Sequence, residues 1–343
     1  MKRINYLSLA SVLASFAVVL LHMNGVFWNF SKEKYWLTAN VIESVMYFAV
    51  PVFFMISGAT LLDYRDRYTT KEYAVKRINK TVIPFLFWSA IGVIYLALTG
   101  QGEFELSVVG ILKAFHNILN INVLSIYWFF GALFSVYLCI PLISCIPKAV
   151  RIKIFAYIVI VSFIFNSLIP FVCSVFSIPY VQNVTIPIAN GYIFYVLLGY
   201  ILHNVEILRV QRWVLYILAI VGLLLHMVGT YYLSYEANGV VQTYKGYLNV
   251  PCILYSIGIF VAIKEIGELI QSKKIIKIIN TIGSYTFAIY LLHWFVINAG
   301  VIILNVELFS TTYRIGGSFI VYFLCIIITC IIRKIPYLNK VLP

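Results

Sequence analysis

The chain has 343 residues, 62% of them hydrophobic and only 11% charged, and its mean hydropathy is +0.97. A soluble domain is about half apolar and a quarter charged, so a water-soluble globule is excluded; the apolar runs leave room for no soluble domain of more than about 20 residues. The formal net charge of +13 would suggest nucleic acid in a soluble protein, but in a membrane chain it is first tested against topology.

A helix of about 20 apolar residues crosses the hydrocarbon, and ten such runs follow one another. The first, 6–27, follows two basic residues as a signal peptide would. It is long enough to span, and no small-x-small cleavage site follows, so it is read as a span. His22 lies about 16 residues into it, about 24 Å across at 1.5 Å per residue. The second run, 40–62, opens with Glu43 at about the depth of His22 and carries Pro51 and the segment FFMISG, Phe53 to Gly58. A Ser-Gly pair there permits a kink or a close helix approach. Asp63 to Lys80 has six basic and three acidic residues, and it closes with KRINKTVIPF before the third run, 81–99. Arg77 and Lys80 share a helix face.

A nearly neutral segment, about 100–125, holds His116. Runs at 126–146 and 152–171 follow. The sixth, 187–204, is short and polar at its start (Pro187, Asn190, Gly191), with His203 at its end. His226 lies deep in 213–233. The run 248–267 is followed by 282–304, with His293 near the midplane, and by 313–332. Every long polar stretch reads as a loop. The six cysteines form no CxxC pair, and we read no disulfide and no metal site from them.

Ten spans put both termini on one side. Of the 25 Lys and Arg residues, 20 fall on that side and five on the other: Lys32, Lys34, Lys113, Lys245 and Arg314. The positive-inside rule therefore places both termini in the cytoplasm. The expected fold is all-α, a polytopic bundle forming a single membrane-embedded domain over 1–343. The same asymmetry accounts for the charge with no nucleic-acid partner.

Ionisable groups inside a membrane mark working sites by default. His22 reads as a general base or acyl acceptor lining a cavity, or as an interfacial histidine. His293 reads as a second such group or as a packing histidine, and His226 has only its depth to recommend it. His203 and His116 read as ordinary interfacial residues. Glu43 reads as a partner that orients His22 or binds a sugar hydroxyl, or as a solvated residue at a helix start. Lys76, Arg77 and Lys80 read as a site for an anionic cytoplasmic ligand or as a lipid-headgroup patch.

Six segments occur in a familiar order: VVLLH (Val18 to His22), VPVFFMISG (Val50 to Gly58), KRINKTVIPFLFWS (Lys76 to Ser89), YWFFGALFSVYLCIPLI (Tyr127 to Ile143), GYIFYVLLGYIL (Gly191 to Leu202) and SYTFAIYLLH (Ser284 to His293). In these the chain resembles the acyltransferase-3 family of integral membrane acyltransferases, and within it the branch that O-acetylates surface polysaccharides. The resemblance implies a multi-pass protein of the cell membrane. It implies acyl-CoA, usually acetyl-CoA, at the cytoplasmic face, and a surface or lipid-linked glycan hydroxyl as acceptor. The family's first-span histidine falls on His22, its basic residue before the third span on Arg77, and its later histidine on His293. Members commonly carry an arginine eleven residues before the first-span histidine, often with an acid just ahead of it. Here those positions are Ser11 and Ser8, and Ile126 stands where a further histidine is typical. Serine does not grip a phosphate or thioester oxygen as arginine does, so Arg3, Arg77 and Lys80 become the candidates for that work.

The pantetheine arm of CoA spans about half of the ~30 Å hydrocarbon core. It reaches the level of His293 and stops short of His22 on this count of depths. Two other readings stay open: a polysaccharide transporter or flippase, and an acyltransferase-like sensor or scaffold without chemistry.

Overall fold

A computed structural model of the chain describes residues 5–181, 184, 186–304 and 306–343. Lipid supplies no hydrogen bonds to a backbone, so a spanning segment satisfies its own as a helix, and no strand occurs among the described residues. In order the helices are α1 Asn5–Met23, α2 Lys34–Met46, α3 Ala49–Leu61, α4 Thr70–Arg77, α5 Ile83–Leu98, α6 Val108–Leu119, α7 Trp128–Ile143 and α8 Lys148–Ser162. They continue with α9 Ile169–Val175, α10 Ile193–Asn204, α11 Arg209–Leu224, α12 Thr230–Ala237, α13 Val250–Leu269, α14 Lys273–Gly283, α15 Thr286–Leu304 and α16 Thr311–Ile332. Wide π turns at Ile78–Val82, Phe163–Leu168 and Leu225–Gly229 join α4 to α5, α8 to α9 and α11 to α12.

Among the described residues, nine stretches are long and apolar enough to cross a membrane, and each matches a predicted span. The sixth predicted span differs. Its polar start is a short turn, Pro187–Ala189, and only α10, 12 residues long, is continuous helix. That is about 18 Å of helix. Two predicted loop regions also hold helices, α6 and α14. The sequence of α14, KKIIKIINTIG, puts lysines on one face and isoleucines on the other, the pattern of a helix lying in an interface.

The chain divides into two compact units, Met1–Leu62 with Ile146–Ile326, and Asp63–Cys145 with Ile327–Pro343. In the first, α1 touches α2, α3, α13, α14 and α15. Its fully buried Ala10, Ala14 and Ala17 recur at helical spacing, and such small side chains let neighbouring helices close in. The tightest approach is between α3 and α10. A Cβ added at Gly58 would lie 1.9 Å from the Val196 carbonyl oxygen, and one at Gly199 would lie 2.2 Å from that of Met55. In the second unit, Phe85, Tyr127, Phe130 and Phe134 stack as one aromatic cluster between α5 and α7. Arg65 donates to Ser144 Oγ at 2.9 Å and to the Pro141 carbonyl at 3.0 Å.

A side chain at Gly58 or Gly199 meets backbone, which cannot swing aside. Gly58→Leu and Gly199→Leu are each expected to cost about 3 kcal/mol or more. Thermal unfolding of the detergent-solubilised protein reads this, and an unchanged midpoint would refute so close a crossing.

Candidate active site

His22 lies one residue from the end of α1. It is half-buried and makes no hydrogen bond among the described residues. His293 on α15 is fully buried, with Nδ1 2.7 Å from the Tyr290 carbonyl and 3.2 Å from that of Ile289. Carbonyls only accept, so Nδ1 carries the hydrogen and Nε2 presents its lone pair. That Nε2 is buried without a partner. The two imidazoles lie 5.0 Å apart, centroid to centroid, at 42°. The residue count had placed them at different depths, and the ring contact brings them to one level.

The second span is broken at Tyr47 and Phe48, between α2 and α3. Pro51 has no N–H to give to the carbonyl four residues back. That carbonyl, of Tyr47, faces Cys252 Sγ at 3.9 Å, and the Val45 carbonyl accepts from Tyr255 Oη at 2.9 Å. On α2 the stripe Trp36, Asn40 and Glu43 recurs at helical spacing, and Tyr47 continues it at the break. Glu43 is neither solvated nor at a helix start, and it makes no hydrogen bond to His22. Its Oε1 accepts from Lys245 Nζ at 2.6 Å, and both side chains are buried. Lys245 comes from the loop before α13, where its Nζ lies 3.7 Å over Tyr47 and 4.7 Å over Phe27. Burial draws the Lys245 ammonium down from its usual range, and the Glu43 carboxylate opposes that shift.

Beside this pair, His226 sits in the π turn Leu225–Gly229 with its ring 4.9 Å from Tyr47. Neither of its nitrogens has a partner; nor do Asn40 Oδ1, Ser44 Oγ and Thr230 Oγ1. Asn40 Nδ2 donates to the Met227 carbonyl at 2.8 Å, which fixes α2 against this turn. Tyr247 stacks on Tyr47 at 4.3 Å, and its carbonyl accepts from Tyr195 Oη. Burial first, then the Glu43 carboxylate, raises the Tyr247 phenol well above its usual range, and Tyr290 acts in the same sense. Tyr290 also lies 5.6 Å from the His293 ring.

In the second unit, Thr69 and Glu72 cap α4 reciprocally, and Arg77 ends the helix just before a π turn. Pro141 in α7 frees the Tyr137 carbonyl, which accepts from Tyr73 Oη at 3.1 Å. The half-buried Arg77 guanidinium lies 5.8 Å from Tyr73 and 5.3 Å from Tyr137, with Nε unpartnered. Lys76 is exposed, 3.6 Å over Tyr68, and Lys80 is exposed. Neither Arg77 nor Lys80 has a carboxylate partner among the described residues. Ser11 Oγ donates to the Leu7 carbonyl of its own helix at 2.9 Å, which leaves no hydrogen for a donor oxygen. Arg3 lies outside the described residues. His203 bonds Tyr6, and exposed His116 bonds Asn120 at 3.0 Å.

Lys245, Asn40, Ser44 and Thr230 were not singled out by sequence. The signal for Lys245 was present: it is the one charge in the tyrosine-rich segment QTYKGYLN. A family model described as an acyltransferase domain matches residues 4–333 of the chain. No curated protein and no solved structure matches it.

Removing one partner of a buried ion pair strands the other charge. Lys245→Met is expected to destabilise by about 3–5 kcal/mol, and adding Glu43→Gln is expected to restore most of that. Denaturation midpoints of the two variants decide it; equal losses would mean that the pair is not a unit.

Proposed function

The chain belongs to the acyltransferase-3 family of membrane acyltransferases, and we propose that it is a cell-membrane O-acyltransferase acting on a glycan. In this reading acyl-CoA, acetyl-CoA in the first instance, gives its acyl group from the cytoplasmic side to a hydroxyl of a cell-surface or lipid-linked glycan. The observation that carries the reading is the His22–His293 pair, two imidazoles 5.0 Å apart with one buried lone pair unused.

A hydroxyl is a poor nucleophile at neutral pH and needs a positioned base. His22, the half-buried member, takes the hydroxyl proton as the oxygen attacks the thioester carbon. The C–O bond forms, the C–S bond breaks, and the proton passes on to the CoA thiolate. His293 holds one tautomer through the Tyr290 and Ile289 carbonyls, so its Nε2 is an acceptor that can orient a protonated His22 nitrogen. His22 as a transient acyl carrier uses the same geometry. The unpaired atoms of Asn40, Ser44, His226 and Thr230 can both donate and accept, as sugar hydroxyls require. Glu43, held by Lys245, charges and fixes this wall rather than acting as base. Arg77, a guanidinium with no carboxylate partner among the described residues, is suited to the CoA phosphates. Lys76 and Lys80 add positive charge beside it, and Ser11 has no part in donor binding.

His22→Ala protein is expected to fold and insert but to lose 10²- to 10⁴-fold in transfer of labelled acetyl from acetyl-CoA to glycan; full activity would sink the assignment. Arg77→Ala is expected to weaken acetyl-CoA binding about tenfold. An unchanged dissociation constant by titration calorimetry would remove Arg77 from the donor site.

A further inference from the structure

Helix α14, Lys273–Gly283, joins the end of one span, α13, to the start of another, α15, so it lies at a membrane face. It is 11 residues long, about 16 Å. Three sectors follow one another round it. Ile276, Ile279 and Asn280 are half-buried and Gly283 is buried, on the side where the helix packs against α1. There a Cβ at Gly283 would lie 3.2 Å from the Cβ of Ser8. Ile275 and Ile278, 48% and 50% exposed, form the next sector. Lys273, Lys274 and Lys277, all exposed, form the third. The helix carries no acid of its own, and among the described residues none of its lysines has a carboxylate partner. Of the two acids near the end of α13, Glu265 accepts from Arg212 at 3.0 Å and from Tyr216 Oη at 2.6 Å, and Glu268 pairs with none of the three lysines.

We propose that α14 is a recognition surface for anionic phospholipid, with Ile275 and Ile278 at the edge of the hydrocarbon and Lys273, Lys274 and Lys277 on the headgroup phosphates. The isoleucines select nothing, because any lipid covers an apolar face. Selection comes from the lysines, three ammonium groups on one sector whose charge the chain leaves unanswered. A zwitterionic headgroup brings its own cation and leaves that charge in place; an anionic headgroup neutralises it. Each lysine near an anionic surface is worth about fivefold in affinity, so the three together are worth about 10²-fold. The anchor bears on the imidazole pair. α14 packs on α1, which carries His22, and turns into α15 through the Tyr285 N–H, which donates to the Ile282 carbonyl at 2.8 Å. Holding α14 in the headgroup layer therefore holds the start of the helix that carries His293.

The test is hydrogen exchange of the full chain in nanodiscs of dioleoylphosphatidylcholine, alone or mixed equally with dioleoylphosphatidylglycerol, so that only the headgroup changes. No acyl donor or acceptor is present, so the result does not depend on acyl transfer. The amides of Lys273–Gly283 are expected to exchange about tenfold more slowly in the mixed discs, with those of Val250–Leu269 unchanged. The triple variant Lys273→Gln, Lys274→Gln, Lys277→Gln is expected to lose the difference, and Lys273→Arg, Lys274→Arg, Lys277→Arg to keep it. Salt at 1 M, which cuts the Debye length to about 3 Å, is expected to remove it as well. Equal exchange in the two discs means that bulk lipid covers the helix without selection, and overturns the proposal. A difference that survives in the glutamine variant also overturns it, because the anionic lipid would then act elsewhere on the chain.

Discussion

Hydrocarbon neither donates nor accepts hydrogen bonds, so every polar group that this chain carries into the bilayer has to find its partner within the chain. Most do so locally. Ser11, Ser57 and Thr60 bond the carbonyls of their own helices four residues back. Where a proline frees a carbonyl, a neighbouring helix answers it: Cys252 faces the Tyr47 carbonyl near Pro51, and Tyr73 bonds the Tyr137 carbonyl near Pro141. Among the described residues, six of the unanswered buried atoms, His293 Nε2, both His226 nitrogens, Asn40 Oδ1, Ser44 Oγ and Thr230 Oγ1, belong to the candidate site, while Ser8 Oγ, Ser89 Oγ and Tyr127 Oη are unanswered away from it. Each is costly to bury unpaired. Several such atoms in one place leave hydrogen-bonding capacity there.

Two of the buried or half-buried cations, Lys245 and Arg77, differ in how their charge is answered. Lys245 is enclosed with a carboxylate at 2.6 Å and an aromatic face at 3.7 Å. Its charge is answered internally, which is the condition for an ammonium to remain buried at all. Arg77 lies against two tyrosine rings and has no carboxylate partner among the described residues; such rings orient a guanidinium but do not neutralise it. The sequence set Arg77 apart through the segment that carries it, whereas Lys245 stood among ordinary basic positions until its surroundings were in place.

The helical spans were legible because hydrocarbon thickness writes itself into the sequence as runs of about 20 apolar residues. The short α10 was marked by its polar start at Pro187, Asn190 and Gly191. The helices α6 and α14 were missed because their polar faces break the apolar runs, while their periodicity is that of an interfacial helix. At the site, His22 and His293 stood out as isolated imidazoles in apolar strings. Glu43 was read for its relation to His22, whereas its hydrogen-bond partner, Lys245, is 202 residues away in sequence. No local pattern encodes a pairing of that separation. The unpaired atoms of Asn40, Ser44 and Thr230 were beyond sequence for the same reason: a hydroxyl inside a span usually bonds its own helix, and the exception appears only when neighbours are in place.

Depth was where counting along the chain misled most. At 1.5 Å per residue His22 lay in the outer half and His293 near the midplane, so a thioester able to meet one would fall short of the other. In the fold the two rings nonetheless meet at 5.0 Å, so the imidazoles share one level. On the proposed reading, a donor whose arm reaches His293 reaches His22 as well. The requirement for a separate deep channel to the outer half disappears. What the chemistry needs instead is that the acceptor hydroxyl reach the level of the pair.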